Sequence, residues 1–118
     1  MLVRYVGLVK ALKEDEADVK PEPIKNRVTE MTGVDYPILQ APMGWIARAQ
    51  LASAVSNTGA MGIIETSSGE FDAIQDEVRK MHELTDKPFG MNVALAFVKG
   101  TNVVDFVIEQ GIKFVTTS

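Results

Sequence analysis

Four short apolar runs begin near Tyr36, Met61, Phe89 and Ile112, about 25, 28 and 23 residues apart, and each interval holds one helical pattern. That spacing admits one strand, one helix and two short connections, so the chain reads as a repeated βα unit. Short apolar strands joined by amphipathic helices imply right-handed parallel crossovers, which leaves an open doubly wound sheet or a barrel. Periodicity alone does not choose between them.

The local signals are these. Asn26 to Thr32 forms a short helix ended by Gly33, and Tyr36-Pro-Ile-Leu-Gln40 is a first strand with Pro37 near its start, where a missing N–H is tolerated. Ala47 to Thr58 carries Leu51, Ala52 and Val55 at helical spacing and closes at Gly59, ahead of a second strand, Met61-Gly-Ile-Ile64. Ser67 and Glu70 stand in capping-box spacing before Phe71, Ile74, Val78 and Met81, which share one helical face. Asp86-Lys-Pro88 breaks that helix, and Phe89 to Ala94 is a third strand. Thr101 or Asn102 caps a helix containing Val103, Val104, Val107 and Ile108, which ends at Gly111 and leads into a fourth strand, Ile112 to Thr117.

At 118 residues the chain suits one domain, yet it falls well short of the roughly 250 residues of a complete (β/α)8 barrel. A hydrophobic share of 46%, a charged share of 24% and a mean hydropathy of +0.05 argue against disorder and against membrane insertion. The net charge of −4, with no basic cluster, predicts no nucleic-acid partner. With no Cys and with His82 as its single histidine, the sequence offers no disulfide, thiolate nucleophile or zinc cluster, and no metal is expected. Met1 to Leu12, broken by Arg4 and Lys10, reads as a short amphipathic helix or an extension; no small-residue cleavage pattern follows it, so a cytoplasmic location is expected. Lys13 to Pro23 reads as a charged, extended linker, which divides the chain into an extension and linker over residues 1–24 and an α/β domain over 25–118.

In either candidate fold, ligands gather at the C-terminal ends of the strands. Functional weight therefore falls on Gln40 to Trp45, Glu65 to Gly69, Asn92 to Gly100 and Thr116 to Ser118. Ala41-Pro-Met-Gly-Trp45 either approaches a flat ligand, through the Gly44 backbone and the polarizable Met43 sulfur, or is an ordinary βα turn. Asn92 interrupts an apolar strand, so its amide needs partners: a bound ligand, a neighbouring strand or a bulge. Glu65 ends the second strand and is expected to be solvated, with a base or ligand contact as the less favoured reading. Thr116, Thr117 and Ser118 offer hydroxyls at the top of the fourth strand. His82 is expected on the helix surface, away from every strand end, and Asp35 and Asp86 at the opposite face of the fold. Lys99 and Arg48 reach toward the ligand face without visible partners. No Gly-x-Gly-x-x-Gly or Walker A sequence occurs, so no self-sufficient nucleotide site is evident.

Six blocks resemble, in order and spacing, the nitronate monooxygenase family: Asn26-Arg-Val-Thr29, Tyr36-Pro-Ile-Leu-Gln-Ala-Pro-Met-Gly44, Leu51-Ala-Ser-Ala-Val-Ser-Asn57, Gly59-Ala-Met-Gly62, Leu84-Thr-Asp-Lys-Pro-Phe-Gly-Met-Asn92 and Phe114-Val-Thr-Thr-Ser118. That family, also called 2-nitropropane dioxygenase-like, consists of FMN-dependent TIM (β/α)8 barrels, and a sister group with the same blocks is the flavin-dependent enoyl-acyl-carrier-protein reductases. The resemblance implies an α/β fold that is the N-terminal half of such a barrel. It implies FMN as cofactor, with Ala41, Pro42, Met43 and Gly44 beside the flavin ring and Asn92 within hydrogen-bonding reach of it. The implied activity is oxidation of a small alkyl nitronate by dioxygen or, in the sister reading, NAD(P)H-dependent reduction of an enoyl thioester. Glu65-Thr-Ser-Ser-Gly69 stands where many relatives have glycines. The family's catalytic histidine and phosphate-binding loops belong to later strands, beyond Ser118, so the isolated 118 residues are expected to lack monooxygenase activity. Four strands with open edges would also suit a non-catalytic fragment, a homo-oligomer of half-barrels or a complementary barrel half as partner.

Overall fold

The computed structural model describes residues 21–67, 70–97 and 102–118. Met1 to Leu12, most of the charged linker, Lys99 and the Thr101 cap lie outside the described residues. Among the described residues two helices precede a run of strands and helices: α1 (Arg27–Thr32), α2 (Ala49–Asn57), β1 (Gly62–Ile64), α3 (Phe71–Leu84), β2 (Phe89–Val93), α4 (Asn102–Glu109) and β3 (Phe114–Thr117). The strands form one parallel sheet in the order β1-β2-β3, with Ile63 opposite Gly90, Gly90 opposite Phe114 and Asn92 opposite Thr116. No helix among the described residues is long and apolar enough to cross a membrane.

The predicted first strand is reduced to a single parallel bridge between Leu39 and Met61. Pro37 brings no N–H, and the Asp35 and Tyr36 amides both donate to Gly59 O. The Ile38 amide turns back onto Tyr36 O at 2.8 Å. Only the Gln40 N–H, to Met61 O, and Ile38 O, from the Met61 N–H, remain to pair.

One face of the sheet carries all the helices that follow the bridge. Ala49 and Ala52 of α2, Ile74, Val78 and Met81 of α3, and Val103, Phe106 and Val107 of α4 form one buried cluster with Ile64, Met91 and Val93. Helices on a single face are the arrangement of a barrel wall; a doubly wound sheet carries them on both. The opposite face holds a second cluster of Val34, Met61 and Ile63, with Phe114 packed against it.

Close approach sets two details of this packing. Helix α2 buries Ala49, Ala52, Ser53 and Ser56 rather than the larger Leu51 and Val55 of the sequence pattern, which are only partly buried. Small residues let the helix settle on β1, and a Cβ on Gly62 would lie 2.0 Å from Ala52 O. The Ser56 hydroxyl completes the contact by accepting the Gly62 N–H and donating to Pro88 O. On α4, Phe106 replaces the predicted Val104 and Ile108, which are exposed; its ring meets Phe71 edge-on at 5.6 Å.

The caps differ from the sequence pattern in one place. Asn26 and Thr29 form a reciprocal box at the start of α1, and Gly33 closes that helix at φ +75°. Helix α3, however, has Glu70 as its N-cap with no side-chain cap bond. The Ser67 hydroxyl and amide are instead taken by Glu65, so no Ser67–Glu70 box forms.

Candidate functional site

On the face turned away from the helices, strand alternation sets Met61 just before β1 and Ile63 on it, Gly90 and Asn92 on β2, and Phe114 and Thr116 on β3. The row starts apolar and turns polar toward the C-terminal ends of the strands. Glu65, one residue beyond the paired part of β1, continues the same alternation beside Asn92.

Asn92 is 3% exposed. Its Oδ1 accepts from the Thr116 hydroxyl at 2.9 Å and its Nδ2 donates to the Ser118 hydroxyl at 3.1 Å. The neighbouring strand thus supplies the first partners of this amide, one of the three readings left open by the sequence. A second lone pair and a second N–H remain, and the hydroxyls fix the plane in which they point. Thr117 alternates away and is exposed.

Gln40 ends the bridge segment and lies against β1, where its Nε2 donates to Ile63 O at 3.0 Å. Its buried Oε1 has no partner among the described residues. An acceptor buried without a donor is costly, so this atom marks a place where a donor from outside the described chain fits. Ala41, Pro42, Met43 and Gly44 follow directly and are exposed as a loop at the same end of the sheet. A Cβ on Gly44 would come within 3.0 Å of Ser67 Oγ, so the two loops touch. The left-handed residue of this turn is Trp45, at φ +66°, not Gly44.

Glu65 overturns its expected solvation. Its side chain is 1% exposed. Oε1 accepts the Trp45 N–H at 3.2 Å and stands 3.6 Å from Arg48 Nε, while Oε2 accepts the Ser67 N–H and hydroxyl at 2.5 Å each. Burial pushes its pKa up, but the Ser67 and Trp45 hydrogen bonds and the Arg48 charge outweigh that and hold the carboxyl below the ordinary glutamate value. Arg48, predicted without a partner, therefore has two: this carboxylate and the Trp45 ring, which lies 5.2 Å beneath its guanidinium. The sequence carried one signal for this arrangement, an acidic residue closing an apolar strand within reach of an arginine.

A cavity of about 620 Å³ opens at the other end of the sheet, among Gly33, Met61, His82, Pro88, Phe89 and Phe114. His82 meets the Phe89 ring edge-on at 5.3 Å there, far along the strands from Asn92. The predicted residues Gln40, Ala41 to Trp45, Glu65, Asn92, Thr116 and Ser118 gather at the C-terminal end, and His82 does not join them.

Comparison with known proteins follows the same geometry. Residues 25–110 match the family model described as nitronate monooxygenase. The chain is 32% identical over 90 residues to the (3aS,4S,5R,7aS)-5-hydroxy-7a-methyl-1-oxo-octahydro-1H-indene-4-carboxyl-CoA dehydrogenase of Mycobacterium tuberculosis, covering 76% of this chain and 25% of that protein. It is 38% identical over 69 residues to a probable nitronate monooxygenase of Staphylococcus aureus, covering 58% of this chain and 19% of that one. The structure of FabK from Thermotoga maritima superposes with a TM-score of 0.76 at 33% identity, over 80% of this chain and 30% of that one. The chain thus spans a quarter or less of the length of these two curated relatives.

Proposed function

Since the chain belongs to the nitronate monooxygenase family, a family of oxidoreductases, we propose that residues 25–118 are the N-terminal half of an FMN-binding (β/α)8 barrel, preceded by an extension and linker over residues 1–24. The observation that carries this reading is the polar end of the inner face. There the exposed Ala41 to Gly44 loop, the Gln40 Oε1 that has no partner among the described residues, and the oriented Asn92 amide lie at one end of the sheet. An unmet acceptor, an amide with spare donor and acceptor capacity, and a backbone loop open to a flat surface fit the edge of a flavin ring, which carries both donors and acceptors. When bound, FMN supplies the redox chemistry, and the protein supplies binding, orientation and electrostatics.

Each residue then has a physical task. Ala41, Pro42, Met43 and Gly44 offer backbone and the Met43 sulfur to the ring, Asn92 binds its polar edge, and Thr116 and Ser118 hold the Asn92 amide in plane. None of these groups titrates near neutral pH, so they bind and orient without moving protons. Val115 stands exposed on the edge strand β3, as do Val104 and Ile108 on α4, apolar surface that a further strand and helix would cover. That cover would come from the same polypeptide, a complementary half or a second copy.

The preferred activity is oxidation of an alkyl nitronate by dioxygen, supported by the matched family and by the similarity to the probable nitronate monooxygenase of Staphylococcus aureus. A second reading is NAD(P)H-dependent reduction of an enoyl thioester, with which the Mycobacterium tuberculosis relative, named as a carboxyl-CoA dehydrogenase, shares only the thioester class of substrate. A visible absorption spectrum of the desalted protein tests the cofactor: two flavin bands that survive desalting support it, and a colourless protein that takes up no added FMN refutes it for these residues alone. Oxygen uptake with a nitronate, against nicotinamide consumption with an enoyl thioester, separates the two activities.

A further inference from the structure

We propose that Glu65 is a positioning residue, a buried carboxylate that clasps the Met43-Gly44-Trp45 turn in one conformation. Both of its oxygens are committed: Oε1 to the Trp45 N–H and Arg48, Oε2 to the Ser67 N–H and hydroxyl. No oxygen is left for a substrate, and a carboxyl held below its ordinary pKa is a weak base at neutral pH.

The geometry shows what the clasp restrains. Trp45 sits at φ +66°, a left-handed conformation that costs a residue with a Cβ and persists where neighbours hold it. Three backbone bonds frame the turn around it. The Ile46 and Ala47 amides donate to Met43 O, closing the turn, and the Glu65 N–H donates to Ala47 O, tying the turn to the end of β1. The Glu65 carboxylate then takes the Trp45 amide itself. A charged acceptor makes the stronger bond, and its burial is offset by its donors and by Arg48, whose guanidinium also covers the indole. The consequence for the cofactor rests on the flavin reading of this turn; the clasp itself rests only on these contacts.

Trp45 is the single tryptophan and 76% exposed, so its fluorescence reports the turn directly. Glu65→Gln puts an amide NH2 against donors and removes the charge beside Arg48. In that variant the indole anisotropy should fall and acrylamide quenching rise, with far-UV circular dichroism retained, while Glu109→Gln on the exposed end of α4 changes neither. Ser67→Ala, which removes one bond and leaves the carboxylate, should move both readings the same way by less. It decides the matter should Glu65→Gln fail to fold. Unchanged anisotropy and quenching in a folded Glu65→Gln, or in Ser67→Ala where only that variant folds, overturns the clasp. FMN titration of the same protein separates the two claims. A loosened indole with FMN binding weakened about tenfold supports both. A loosened indole with unchanged FMN binding leaves the clasp standing and removes the turn from the flavin site.

Discussion

The Glu77 carboxylate on α3 accepts the Ala49 N–H at the start of α2, at 2.9 Å, and so caps a helix far from it in sequence. The N-cap residue of α2, Arg48, makes no side-chain cap bond of its own. One helix therefore supplies the terminus of its neighbour, and the Lys80 ammonium holds the same carboxylate at 2.9 Å from the other side.

Removing that cap should cost about 1 kcal/mol, the usual worth of an N-terminal side-chain acceptor. Urea unfolding of Glu77→Ala is expected to show a lower midpoint with an unchanged slope, and Glu77→Gln a smaller loss. A midpoint equal to that of the unaltered protein would mean that water replaces the carboxylate at no cost.

Acid should destabilise the fold through two carboxylates. Burial raises the pKa of both Glu65 and Glu77, yet hydrogen bonds and nearby cations outweigh it and leave each below its ordinary value near 4.5. As pH falls, the unfolded chain takes up these protons before the folded chain does, so stability is full above the unfolded value and drains away between roughly pH 5 and 3. Tm measured down that range should fall, and Glu77→Gln should flatten the fall. Equal pH slopes in both proteins would exclude Glu77 as a source.

Two glycines predict unequal costs for the same methyl group. At Gly62 a Cβ would sit 2.0 Å from the Ala52 carbonyl oxygen, backbone that cannot step aside, so Gly62→Ala should lose about 3 kcal/mol or prevent folding. At Gly111 nothing lies within 4 Å and only the φ of +66° opposes substitution. Gly111→Ala should therefore lose about 1 kcal/mol. Thermal melts of the pair check the order, and a Gly111→Ala loss equal to that of Gly62→Ala would contradict it.

Asn92→Ala should weaken FMN binding by about 1–3 kcal/mol, the cost of leaving a buried polar partner unmet. It should also lower stability, because the Thr116 and Ser118 hydroxyls lose their partner. Isothermal titration separates the two effects, and unchanged FMN affinity removes Asn92 from the site.

Most of the scaffold was legible in the sequence because its signals are local. Ile74, Val78 and Met81 share a helical face by spacing alone, and Gly33 and Gly59 end segments through the positive φ their turns require. What escaped depends on partners distant in the chain. The Ser67 hydroxyl was free to cap a helix until Glu65 turned inward, and Glu65 turned inward because Trp45 and Arg48 arrive from the preceding loop. The strand at Tyr36 to Gln40 dwindled because Gly59 O takes the Tyr36 amide and Tyr36 O takes the Ile38 amide, a competition no periodicity displays. Asn92 stood out as a polar interruption, while its hydroxyl partners on β3 came from the register.

Gly90 and Phe114 face one another on β2 and β3, and a Cβ on the glycine would lie 2.7 Å from Cδ1 of the ring. The two positions are therefore a single choice written twice. A methyl group at 90 is an intrusion while the ring is present, and once the ring has gone its nearest remaining neighbour is the carbonyl oxygen of residue 114 at 3.0 Å. Gly90→Ala and Phe114→Ala should each lose stability, with the double variant losing less than their sum, a coupling expected of side chains that compete for one volume. For a sequence drifting under selection, this epistasis has a direction: position 114 must shrink before position 90 can grow.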